Sequence, residues 1–130
     1  MENTPVSFQL TQEDIIRYRE QISNTLLSME KEVLKKIPGK LQELMRVKIY
    51  STFIVDLIRD VERLYILLTE VNHITDDVER MIIFALSYFI KEKDEIPDSI
   101  DILGYLDDAV LVRWVVDEIK KEHPEYFTKQ

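Results

Sequence analysis

Residues Asp94 to Val110, DEIPDSIDILGYLDDAV, set one of only two glycines and one of only four prolines of the chain between two strongly apolar segments. A helical protein places its most specified reversal in such a stretch. Ile96 precedes Pro97 and is biased away from the α region, so a helix ending near Ile90 to Glu92 is not expected to continue through this point. Pro97 has φ preset for a first helical position, Asp98 and Ser99 offer side-chain oxygens as caps, and Gly104 is expected to close the turn with a positive φ. Asp107 and Asp108 then fall in the first turn of the next helix, where unpaired N–H groups and the macrodipole favour carboxylates.

Working outward, the composition leaves little room for anything but helices. Of 130 residues, 45% are hydrophobic and 32% charged, enough for one domain to bury a real core. Two glycines and four prolines supply almost no chemistry for β-hairpin turns. The sequence therefore predicts an all-α bundle of four or five helices. A polar arm, residues 1–10, precedes a single helical domain, 11–130, with a central apolar hairpin over 76–122 joined by the acidic turn.

The apolar spacing outlines the helices. Thr11 is a candidate N-cap, and Ile15, Tyr18, Ile22, Leu26, Met29, Val33 and Ile37 recur at steps of three and four, which predicts one long amphipathic helix. Pro38 and Gly39 interrupt it. A second helix carries Leu41, Leu44, Met45, Tyr50, Phe53, Leu57, Val61, Leu64, Leu68 and Val71, with a bend expected between Val47 and Tyr50. In Asn72 to Asp77, Thr75 or Asp76 caps the next helix, with Glu79 placed for a capping box. MIIFALSYFI, Met81 to Ile90, is apolar on every side except at Ser87, and AVLVRWVV, Ala109 to Val116, except at Arg113. Such a pair belongs either at the centre of a bundle or on the face of an oligomer. After Pro124, Tyr126 and Phe127 are placed to fold back as an apolar clip.

The pattern D-x-I-P-D-x-I-x-x-L-G-Y-L-D-D-A-x-x-V resembles the signature of the YkvA-like family of bacterial proteins of unknown function. It is carried by Asp94, Ile96, Pro97, Asp98, Ile100, Leu103, Gly104, Tyr105, Asp107, Asp108 and Ala109, and the resemblance extends over roughly Asp76 to Ile119. Glu92 and Asp101 stand where the family usually has proline, which leaves this turn less rigid and more acidic. The resemblance implies a helical hairpin and no established reaction, ligand or cofactor.

A formal net charge of -8 disfavours non-specific binding to nucleic acid, which depends on neutralising phosphates. The charge is unevenly spread. Lys31, Lys35, Lys36, Lys40, Arg46 and Lys48 crowd one region against Glu32 and Glu43, while Asp94, Glu95, Asp98, Asp101, Asp107 and Asp108 crowd another. The basic group reads as a solvated helix end or a partner for the acidic turn, of the same or a second subunit. With no cysteine there is no disulfide framework, and MENTPVSFQL lacks the basic-then-apolar plan of a secretory signal. A cytoplasmic location is expected, with peripheral membrane contact as the alternative, since no apolar run reaches the roughly 18 residues that span a bilayer.

Each candidate site has a plainer reading. Asp94, Asp98, Asp107 and Asp108 could bind a hard cation, but the spacing lacks the glycine and terminal glutamate of a calcium loop, and capping explains each of them. His73 precedes Asp76 and Asp77 at ligand-like spacing, yet the end of a helix dipole accounts for it, and His123 lies in a polar helix end. Tyr88, Phe89, Tyr105 and Trp114 could line a pocket for a cationic ligand, though core is the ordinary place for them. No nucleophile elbow, phosphate loop or dinucleotide fingerprint is present, so neither a catalytic residue nor a cofactor is predicted. The resulting expectation is a non-catalytic interaction module, a homo-oligomer or the partner of another protein. A divalent-metal or small-ligand protein using the acidic turn is the alternative.

Overall fold

Thr11 opens the first helix by a reciprocal cap. Its hydroxyl accepts the Asp14 N–H at 3.1 Å, and the Asp14 carboxylate accepts the Thr11 N–H at 3.1 Å. The computed structural model describes residues 10–46, 52–71, 73–91 and 101–127, with backbone alone at 101–104. Five helices account for most of them: α1 (Gln12–Ser23), α2 (Glu30–Met45), α3 (Thr52–Glu70), α4 (Asp76–Ile90) and α5 (Asp101–Glu122). Short 3₁₀ turns follow α1 at Leu27–Met29 and α5 at Pro124–Tyr126. No strand occurs among the described residues, and the fold is an all-α bundle.

The predicted first helix is two helices. Its apolar phase runs on through Leu26 and Met29, but the local chemistry at Ser23, Asn24 and Thr25 ends it. The Ser23 hydroxyl donates to the Glu20 carbonyl and the Thr25 hydroxyl to the Gln21 carbonyl, each at 2.9 Å. Such side-chain bonds offer the backbone an alternative to the helix, and all three residues are weak helix formers. Leu26 is consequently 62% exposed, although the sequence pattern assigned it to the stripe.

Pro38 and Gly39 do not interrupt the chain as expected; both lie inside α2. A proline in a helix interior costs about 3 kcal/mol. Packing offsets it here, because Val33, Ile37, Leu41 and Leu44 on the same helix are all buried. The bend expected between Val47 and Tyr50 lies outside the described residues, although α2 has ended before it, at Met45.

Thr75 caps α4 as one of the two predicted candidates, its hydroxyl accepting the Val78 N–H at 3.2 Å. His73, with φ 71°, stands in the left-handed region three residues beyond the end of α3 rather than in its last turn. From Val78 to Ile90 no residue of α4 is exposed. The reason is its position: α4 packs against each of the other four helices and against the 3₁₀ turn at Leu27–Met29. Of the two placements open to a helix apolar all round, the centre of the bundle is the one adopted.

The other half of the hairpin packs on α3 and α4 through Leu111, Val112, Val115, Val116 and Ile119, all buried. At its far end the backbone reverses through His123, and Tyr126 and Phe127 pack onto the core as the clip expected of them. No described helix is long and apolar enough to cross a membrane.

Candidate functional site

The acidic corner divides between what the structure describes and what it does not. Asp94, Ile96, Pro97 and Asp98, with their expected capping roles, lie outside the described residues. Gly104 is the fourth residue of α5, inside the helix, and no described glycine has a positive φ, so it does not close the turn as expected. Asp107 and Asp108 are therefore the seventh and eighth residues of α5 rather than first-turn acids. The helix begins earlier because Tyr105 and Ala109 pack on the core and draw the preceding turn into the same rod.

Helical geometry then separates the two neighbouring aspartates by about 100° around the axis. Asp107 is exposed and Asp108 buried. Among the described residues, no three His, Asp or Glu side chains gather at metal-binding distance, and this includes His73 with Asp76 and Asp77.

The four aromatic residues of the candidate pocket form two separate groups. Tyr88 and Trp114 pack around Tyr18 of α1, with ring centroids at 6.5 and 6.1 Å, and Phe84 joins them at 5.8 Å from Tyr18. Arg17 lies over Tyr18, and Arg19 over Trp114 while also pairing with Glu118 at 2.9 Å. Phe89 instead meets Tyr105 at 6.5 Å, with the Lys40 ammonium 5.6 Å from the Tyr105 ring. Both groups are pieces of core that tie α1 and α2 to the hairpin, each ring pair contributing about 0.5–1.5 kcal/mol beyond its buried area. Burial, reinforced by Tyr18 and by the Asp107 and Asp108 carboxylates, pushes the Tyr88 phenol up to about 12, so it stays a neutral packing group at physiological pH.

The structure also brings together residues that the pattern reading passed over. Asp60, on the buried face of α3, is 1% exposed and accepts from Arg113 Nη2 of α5 at 3.2 Å. Arg113 Nη1 reaches Asp117 at 3.3 Å. Burial raises the Asp60 carboxyl above its ordinary value, and Arg113 and then Arg63 pull it back. The signal was legible: Asp60 sits three residues after Leu57 and four before Leu64, a charge inside the stripe, and Arg113 is the charge inside the other apolar run.

A second cluster joins the amino-terminal ends of α2 and α4. Glu79 is pushed up to about 7, first by a hydrogen bond with Glu30, then by burial and by the Glu30 and Asp76 charges. The Glu79 carboxyl therefore holds its proton to a higher pH than a free glutamate does, because ionising it would place a second negative charge beside Glu30. Each is placed there for the same reason, that a helix start favours an acid.

The open surface lies elsewhere. A groove of about 810 Å³ runs between the carboxyl-terminal ends of α3 and α5, lined by the apolar Leu67, Val71, Tyr126 and Phe127 together with the charged Arg63, Glu70, Lys120 and Glu125. Ile66, which also lines the groove, is 51% exposed, and Val55, on the same stripe of α3, is 47% exposed.

Residues 80–114, about a quarter of the chain, match the model of a family described as "Protein of unknown function (DUF1232)". The match covers most of α4, the acidic corner and the first two-thirds of α5, which places the similarity on the central hairpin. No curated protein and no solved structure matches the chain.

Proposed function

We propose that the protein is a non-catalytic helical interaction module that associates with itself through the outside of α3. The supporting observation is where apolar surface remains once the hairpin is covered. The residues that suggested an oligomer from sequence, Met81 to Ile90, are enclosed by the chain's own helices; among the described residues Ile16, Leu26, Met29, Met45, Val55 and Ile66 remain exposed, and of these Val55 and Ile66 are the two that share one α-helix and one stripe of it. Eleven residues apart, they lie within about 20° of each other around the α3 axis. The groove that Ile66 lines extends the apolar surface at one end.

The same reading sets the chain beside the YkvA-like proteins, on the strength of the motif from Asp94 to Ala109 and its position inside the matched segment 80–114. Sedimentation velocity over a concentration series up to the high micromolar range tests self-association. The expected result is a reversible dimer, and a single monomer species at every concentration overturns the reading.

A further inference from the structure

Along α3 the exposed residues are Thr52, Val55, Arg59, Glu62, Ile66, Thr69 and the terminal Glu70, and the first six form one stripe facing away from the bundle. Their spacing of 3-4-3-4-3 is that of a coiled-coil seam, lying on the side opposite the buried Leu57, Val61 and Leu64. The stripe has an internal symmetry. Counting inward from its two ends pairs Thr52 with Thr69, Val55 with Ile66, and Arg59 with Glu62.

We propose, resting on the self-association just put forward, that two copies pair antiparallel along this seam, about a two-fold axis passing beside Asp60 and Val61. In that register Val55 meets Ile66 of the second copy, and Arg59 meets Glu62 of the second copy, each contact occurring twice. An isologous interface requires a surface complementary to its own rotated image, and this stripe sets apolar Val55 against Ile66 and positive Arg59 against negative Glu62, with the threonines facing each other at the two ends. A parallel pairing would instead oppose Arg59 to Arg59 and Glu62 to Glu62. Within one chain Asp56 lies 3.6 Å from Arg59 as a surface i,i+3 pair. The seam is ~28 Å long, so the contact lies at the small end of specific interfaces and the dimer is a reversible one.

Charge reversal tests the register. In Arg59→Glu and Glu62→Arg alone, both copies of the cross-pair become repulsive, and dimerisation weakens about tenfold or more. Mixing the two single variants restores attraction at both cross-pairs, so the mixture forms a heterodimer of near wild-type affinity, as does the double variant with itself. Leu26→Glu, at an exposed apolar position away from α3, leaves the affinity unchanged. Circular dichroism of each variant checks that the helices are intact. A dimer indifferent to both reversals, or one not recovered on mixing, overturns this pairing while leaving self-association through another face. A wild-type chain that stays monomeric overturns both.

Discussion

Arg113 Nη2 lies 3.2 Å from Asp60 Oδ1, so the charge that interrupts the apolar run of α5 answers the charge that interrupts the buried stripe of α3. The pair is lopsided, with Asp60 at 1% exposure and Arg113 at 42%. The carboxylate has lost its water, whereas the guanidinium keeps part of its own and a second partner in Asp117.

Removing the cation therefore costs more than the pair contributes. Arg113→Ala leaves Asp60 buried without its nearest positive charge, and urea denaturation is expected to show a loss of about 2–3 kcal/mol, below the range for fully buried pairs because Arg113 is part-exposed. Asp60→Leu combined with Arg113→Leu recovers most of it, since a buried pair replaced by apolar groups is often close to neutral. An additive double variant would contradict the coupling.

The raised Glu79 carboxyl beside Glu30 makes stability depend on pH. Glu79 titrates near 7 when folded and near 4.5 when unfolded, so between these values the folded state holds more protons. Its contribution is fully present below about pH 4.5 and is lost as pH rises through about 7. Glu79→Gln keeps a hydrogen-bonding group without the titration, and the fall in melting temperature over this window flattens in that variant. An unchanged pH profile would contradict the assignment.

Gly39 sits inside α2 with nothing within 4 Å of where a Cβ would stand, and its φ is not positive. The backbone there gains nothing from glycine. Gly39→Ala is expected to stabilise by about 0.5–1 kcal/mol, raising the denaturant midpoint without changing the slope of the transition.

Thr75 holds the entry to α4 through one hydroxyl bond to the Val78 N–H. Thr75→Ala should cost about 1 kcal/mol, and Thr75→Asp should recover it, because an aspartate serves the same N–H and suits the helix start. Equal stability of all three chains in thermal denaturation would show that the cap carries no weight.

Much of this architecture was legible where burial and periodicity agree. The spacing of Leu57, Val61 and Leu64, the run Met81 to Ile90, the cap at Thr75 and the clip of Tyr126 and Phe127 all stand where the pattern puts them. The pattern misled where another force overrides it. Leu26 keeps the apolar phase, but the hydroxyls of Ser23 and Thr25 end the helix first. Pro38 and Gly39 are poor helix residues on the outer side of α2, carried along by buried neighbours at Ile37 and Leu41. Gly104 lies within α5 for a similar reason, which moves Asp107 and Asp108 into the body of the helix. The Asp60–Arg113 bridge needed both chain segments in register, and neither segment contains its partner.

Because α4 is walled by its neighbours from Val78 to Ile90, it behaves as a hub whose spokes cannot be removed one at a time. Cutting out residues 80–114 would deliver an oily rod and part of one companion into water, with nothing to sheathe the remaining sides. The stretch that carries the family likeness is thus the piece least able to live apart from the rest, and proteolysis or truncation at either end should collapse the molecule in a single step rather than release a smaller folded core.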